Sequence, residues 1–113
     1  MNNGAVMNET GSREAKHSEP LADRMLVWIG ELLNRHNIVP NAVQQQMLVS
    51  HVRAMAHRSV TGEPLPDVEE SLFEEISADS MRLAREVVRE FGNLPDEEAW
   101  LLSVHFEVAK ENL

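Results

Sequence analysis

Histidine is the side chain whose ordinary pKa lies nearest neutrality, so a histidine set among apolar residues asks for a reason. This sequence has two. In "LVSHVRAMAHR", residues 48–58, His51 lies four residues from Met47 and four from Met55, which stacks the three on one helical face. In "AWLLSVHFEVAK", residues 99–110, His105 lies between Leu101 and Ala109 and between Leu102 and Val108. A neutral imidazole is nucleophilic. It can take a phosphoryl group from another phosphohistidine at little free-energy cost, because the bond broken and the bond made are alike. The product carries about two negative charges where a near-neutral ring stood. On an apolar face that change would repel a neighbouring subunit or recruit an arginine. Arg58, seven residues after His51 and near the same face, is the candidate charge partner.

Other chemistries find less support. HExxH is absent, and neither His51 nor His105 has a glutamate three residues before it. A metal site built on His51 and His105 lacks a third ligand, so no metal and no cofactor are expected. There is no GxSxG and no Gly-rich phosphate loop. The carboxylates at Asp96, Glu97 and Glu98 are expected to face water at a helix start and complement its dipole. His17, His36 and His57 are assigned no function.

The elements that must position the two histidines are helical. Residues 1–18, rich in Asn, Gly, Ser, Glu and Thr, read as a disordered or loosely attached tail. A single domain over 19–113 follows, with Ser18 as a candidate helix cap. A first helix covers about 20–36, with Leu21, Met25, Trp28, Ile29 and Leu32 or Leu33 on its apolar stripe. Pro40 is placed at N1 of a second helix that runs to about Val60, where "TGEPLP" breaks the chain. Residues 67–92 read as helical, with "SADS" at 77–80 a point of division and Gly92-Asn93 a C-cap. Pro95 to Glu98 open a last helix that runs to about Lys110. No strand pattern and no repeat is found. The expected fold is an all-α bundle of four or five helices.

Composition narrows the function. The 113 residues are 42% apolar, contain no cysteine and carry a net charge of -9. Disulfides and thiol catalysis are excluded. No apolar run is long enough to span a membrane, and the first twenty residues lack the pattern of a secretory signal. A cytoplasmic protein is expected. Between Glu63 and Asp79 stand seven acids and no base, and no cluster of Lys and Arg is present. Direct binding of nucleic acid is therefore not expected.

The residues around both histidines resemble the PTS regulation domain (PRD), the sensory module of bacterial antiterminators of the BglG/LicT type and of related transcription activators. In that family a helix carries a pattern like D-H-x(6)-R, followed by a Gly-containing turn and a proline. Here "SHVRAMAHRSVTGEPLP" supplies His51, Arg58, Gly62 and Pro66. The family's last helix carries a pattern like E-x-x-x-L-x-x-H, and "PDEEAWLLSVHF" supplies Glu98, Leu102 and His105. The resemblance covers about residues 20–112. It implies a five-helix bundle. It also implies that His51 and His105 receive phosphate from the phosphocarrier HPr or from sugar-specific enzyme II proteins, and that phosphorylation modulates a dimer and so gene expression. Ser50 stands where the family usually has an aspartate. A single free-standing module, without a nucleic-acid-binding domain of its own, is expected.

Two readings follow. One is a regulatory module, without catalytic turnover, whose histidines accept phosphoryl groups. The other is a plain helical dimerisation or interaction domain whose histidines are structural. Both expect a homodimer, because Val43, Met47, Leu48, Val52 and Met55 cover more than one stripe of the second helix.

Overall fold

The structure, a computed structural model, describes the backbone of residues 2–112 and the side chains of residues 18–112. Four α-helices and one 3-10 turn follow in order: α1 (Asn2–Arg35), α2 (Ala42–Thr61), the turn (Glu70–Phe73), α3 (Ala78–Phe91) and α4 (Glu97–Lys110). No strand occurs among the described residues. No helix there is long and apolar enough to cross a membrane.

The expected tail over 1–18 falls, except for Ser18, on residues whose side chains lie outside the described part. Ser18 is not a helix cap; it lies within α1 and is buried. Further along α1, Met25, Ile29, Leu32 and Leu33 form the buried stripe, with Leu21 and Trp28 packed at its edge. These positions recur every three or four residues, as one face of a helix requires.

The second helix starts two residues later than expected, at Ala42 rather than Pro40. Its N-cap is Asn41, whose side chain accepts from the Gln44 N–H at 2.9 Å, while the Gln44 side chain accepts from the Asn41 N–H at 2.9 Å. This reciprocal box satisfies two of the free donors at a helix start, so Pro40 precedes the helix rather than opening it. Gly62 ends α2 in the left-handed region at φ 75°, which a glycine adopts without the penalty a side chain incurs. As expected, Gly92 caps α3 and α4 runs to Lys110.

The helix count corrects the five-helix expectation to four. The first half of 67–92 is not a helix but the single turn Glu70–Phe73, and Leu72 is exposed rather than packed. Glu70 and Glu74, four apart, would repel across one helical face. Ser77 then caps α3, accepting from the Ser80 N–H at 3.2 Å, so the division at 77–80 is where the helix begins.

Helix α1 packs on α2, and α3 packs on α4. The core between these hairpins contains Met25, Ile29, Val52, Met55, Leu83, Val87, Leu102 and Phe106, all essentially inaccessible. A polar clamp holds the start of α3 to α4. Glu107 accepts from the Ser80 hydroxyl at 2.6 Å, the Ser77 hydroxyl at 2.8 Å and the Ser77 N–H at 3.3 Å, with Lys110 at 3.2 Å. These bonds, that from Ser80 foremost, hold the Glu107 carboxyl down at about 2, against 4.5 for a free glutamate.

The unfolded chain therefore takes up this proton at a higher pH than the folded one. The clamp's contribution is complete above pH 4.5 and is lost as pH falls toward 2. Ser80→Ala is expected to lower the unfolding free energy at pH 7 by about 1.5–3 kcal/mol, the range for a hydrogen bond to a charged group. In urea titrations that deficit should shrink between pH 4.5 and 2. A deficit that does not change with pH would show that the serine matters by packing alone.

Candidate functional site

Helices α2 and α4 meet in one antiparallel register. Near the start of α2, the Gln44 side chain reaches the Asn112 side chain, just beyond α4, at 3.5 Å. Seven residues on, the His51 and His105 rings lie with centroids 4.9 Å apart and planes tilted by 36°. Seven residues further, Arg58 meets Glu98. Each step of seven along α2 is matched by a step of seven back along α4. Seven residues rise about 10.5 Å, close to two turns, so the three pairs sit as rungs on one side of the helix pair. Met55 and Leu102, which fall between the histidine and ion-pair rungs along their helices, are fully buried.

The third rung is the strongest contact. Arg58 Nε donates to Glu98 Oε2 at 2.6 Å, and a terminal Arg58 nitrogen donates to Oε1 at 2.8 Å, the two-pronged geometry that suits guanidinium and carboxylate. The Glu98 side chain is 1% exposed and that of Arg58 17%. These hydrogen bonds raise the Arg58 pKa above its ordinary value. Next to this rung, the turn after α3 is tied to the end of α2. The Ser59 hydroxyl donates to the Gly92 carbonyl at 3.0 Å, and the Asn93 amide donates to the Ser59 carbonyl at 2.7 Å.

Both imidazoles are half-buried. Burial lowers the His51 pKa to about 4, with the charges of His105 and Arg58 adding to the effect, and burial lowers that of His105. Both rings are therefore neutral at pH 7. The His51 Nε2 is buried and has no hydrogen-bond partner among the described residues. Two neutral, adjacent imidazoles beside an internally neutralised ion pair can accept a proton or another electrophile, and either step places charge in the seam.

Both predicted histidines thus lie at one locus, although they are 54 positions apart in sequence. The apolar stripe around His51 runs from surface to core: Met47 is 57% exposed and Met55 fully buried. Glu98 corrects the expectation of a water-facing carboxylate. Asp96 at the helix start is exposed and Glu97 half-buried, but Glu98 turns inward to Arg58. Sequence reading took Arg58 as a phosphate partner and missed its bond to Glu98. The missed signal was the equal spacing: Arg58 follows His51 by seven, and Glu98 precedes His105 by seven.

His36 is exposed, and His57 faces Glu63 at 3.4 Å on the exterior. His17 lies outside the described side chains. Among the described residues no group of three or more His, Asp or Glu is placed to hold a metal ion. A cavity of about 770 Å³ opens between the 3-10 turn and α3, lined by Phe73, Ile76, Met81, Arg85, Val88 and Leu94 among others; neither His51 nor His105 lines it.

No family model and no curated protein matches the sequence. The chain is similar to a solved structure, the crystal structure of a PRD-containing transcription regulator from Lactobacillus casei ATCC 334. The two are 31% identical, the likeness covers 90% of this chain and 96% of that one, and the TM-score is 0.80.

The ion pair generates a stability prediction. Removing one partner of a buried pair leaves the other charge unanswered, at about 3–5 kcal/mol. Arg58→Met and Glu98→Leu should each lower the unfolding free energy by that amount in denaturant titrations. The double substitution should lose far less than the sum of the two. Strictly additive losses would mean that the two side chains do not act as a pair.

Proposed function

The chain belongs to the PRD family, and on that premise we propose that it is a regulatory module linked to the phosphotransferase system, in which His51 and His105 accept phosphoryl groups. The observation that carries this reading is the meeting of the two rings, neutral and half-exposed, at 4.9 Å. In the transfer, the N–P bond of a donor phosphohistidine breaks and an N–P bond to the acceptor imidazole forms. The acceptor's proton passes to the donor ring, so charge and atoms balance. The donors proposed are HPr and sugar-specific enzyme II proteins.

The surroundings give such a transfer a readout. Val43 and Met47 on α2 and Val104 and Val108 on α4, the helices that carry the two histidines, are exposed. We assign this apolar face to a homodimer contact. A phosphoryl dianion placed there would change what the face can pack against. It would also compete with Glu98 for Arg58. Drawing the guanidinium away would leave a buried carboxylate unanswered, so phosphorylation would act on the seam as well as on the surface. The module's output would be a shift in assembly, read by whatever transcription machinery it is joined to, rather than direct contact with nucleic acid.

A second reading is a plain helical interaction domain whose histidines only pack, and the buried His51 Nε2 favours it. Incubation with phosphoenolpyruvate, enzyme I, HPr and enzyme II proteins, followed by mapping of acid-labile phosphate, separates the two. The regulatory reading expects incorporation that His51→Ala and His105→Ala each reduce. No incorporation at either histidine would overturn it in favour of the second. By sedimentation equilibrium, the wild type should dimerise and Met47→Glu should weaken the dimer. A wild-type monomer would remove the assembly readout.

A further inference from the structure

Two acceptors in van der Waals proximity are not two independent sites. We propose that His51 and His105 form a single-occupancy phosphoryl site, in which either ring carries a phosphoryl group but not both at once. This rests on the reading of the two rings as phosphoryl acceptors and adds a rule to it.

Distance is the first constraint. With ring centroids 4.9 Å apart, the two rings would carry their phosphoryl groups at one locus. Each phosphoryl carries about two negative charges near neutral pH. Two such dianions repel with four times the energy of two unit charges at the same distance. The half-buried setting screens them less than open water would.

The supply of counter-charge is the second constraint. Among the described residues, Arg58 is the arginine whose charge bears on His51, and both prongs of its guanidinium are already on Glu98. One phosphoryl group can compete for that arginine. A second finds Glu98, now released and negative, added to the charges it must face. The site therefore offers one answer to one dianion. A single proton meets the same restriction, since a charge on His105 already disfavours one on His51.

Mechanism is the third constraint. Phosphorylation of the first ring removes its neutral, apolar contact with the second, and the second ring must then approach a donor phosphohistidine through the field of the first phosphoryl group. Equilibrium and approach are both opposed. The functional consequence is exclusive: two donors that prefer different rings would compete for the module, and whichever acts first sets its state.

The test uses a chemical donor, so that it does not depend on which proteins act in the cell. The full chain, with His17→Gln, His36→Gln and His57→Gln to leave only the two rings, is treated with potassium phosphoramidate. The P–N bond of the reagent breaks, ammonia leaves with the imidazole proton, and the ring nitrogen takes the phosphoryl group. Intact-mass measurement at neutral pH then counts phosphoryl groups per chain. The proposal expects chains with none or one, and a doubly modified population at least tenfold below the product of the two single-site occupancies. Adding His51→Gln or His105→Gln should still leave one phosphoryl group per chain. Doubly modified chains at the statistical level would overturn the proposal. So would a failure of either single variant to accept a group. If the rule holds with phosphoramidate while HPr and enzyme II proteins transfer nothing, it is the assignment of donors that fails, not the exclusion.

Discussion

A carboxylate taken wholly out of water has to be answered by a cation, and in this bundle Glu98 is answered by Arg58, forty residues away in the chain. Little else joins α2 to α4 with such geometric demand. A two-pronged guanidinium–carboxylate pair is fixed in direction as well as in distance. The pair sets the register of two helices that belong to different hairpins. Once it is set, a step of two turns along each helix brings His51 against His105, and a further step brings Gln44 to Asn112. The local ties among Ser59, Gly92 and Asn93 hold the end of α2 against the turn that launches α4, and so keep the pair in place.

The same pair settles the electrostatics of the histidine site. Because Arg58 spends its hydrogen bonds on Glu98, it contributes a field at His51 but no bonded partner. The imidazoles stay neutral, which is the state in which a ring nitrogen is nucleophilic. Arrival of a dianion would reopen the competition for Arg58, so a group added at the surface would bear on a contact buried in the seam. That coupling gives a small bundle a route from a chemical mark to a change in packing without a second domain or a large cavity. The chain belongs to the PRD family, and its likeness to the Lactobacillus casei regulator covers nearly all of both chains.

Much of this was legible in the sequence where a single physical cause acts locally. The apolar spacing of Met25, Ile29, Leu32 and Leu33 marked the buried face of α1, and Gly92 and Lys110 marked helix ends because caps and dipoles depend on the nearest few residues. Three features were not legible. Leu72 and Phe73 looked like helix positions by spacing, but a run of like charges leaves only one turn there. Asn41 rather than Pro40 starts the α2 caps, because the reciprocal bonds with Gln44 outweigh the preference of proline for a first helical position. Glu98 looked like the acids beside it. Which of three neighbouring carboxylates turns inward is decided by where a distant arginine lies, and no local pattern carries that information. The matched seven-residue spacings did carry it, once α2 and α4 are laid antiparallel.

The central claim is that the two imidazoles share one half-buried site, held together by the register of α2 and α4. Its most direct measurement is the titration of the histidine ring protons by NMR, in the wild type and in His105→Gln. In the wild type His51 should titrate near 4, well below the ordinary 6.5, and its pKa should rise in the variant while remaining depressed by burial. Because the unfolded chain would take up that proton first, stability should decline as pH falls from 6.5 toward 4. A His51 that titrates near 6.5 in both proteins would contradict the account, because the ring would then be neither buried nor beside His105.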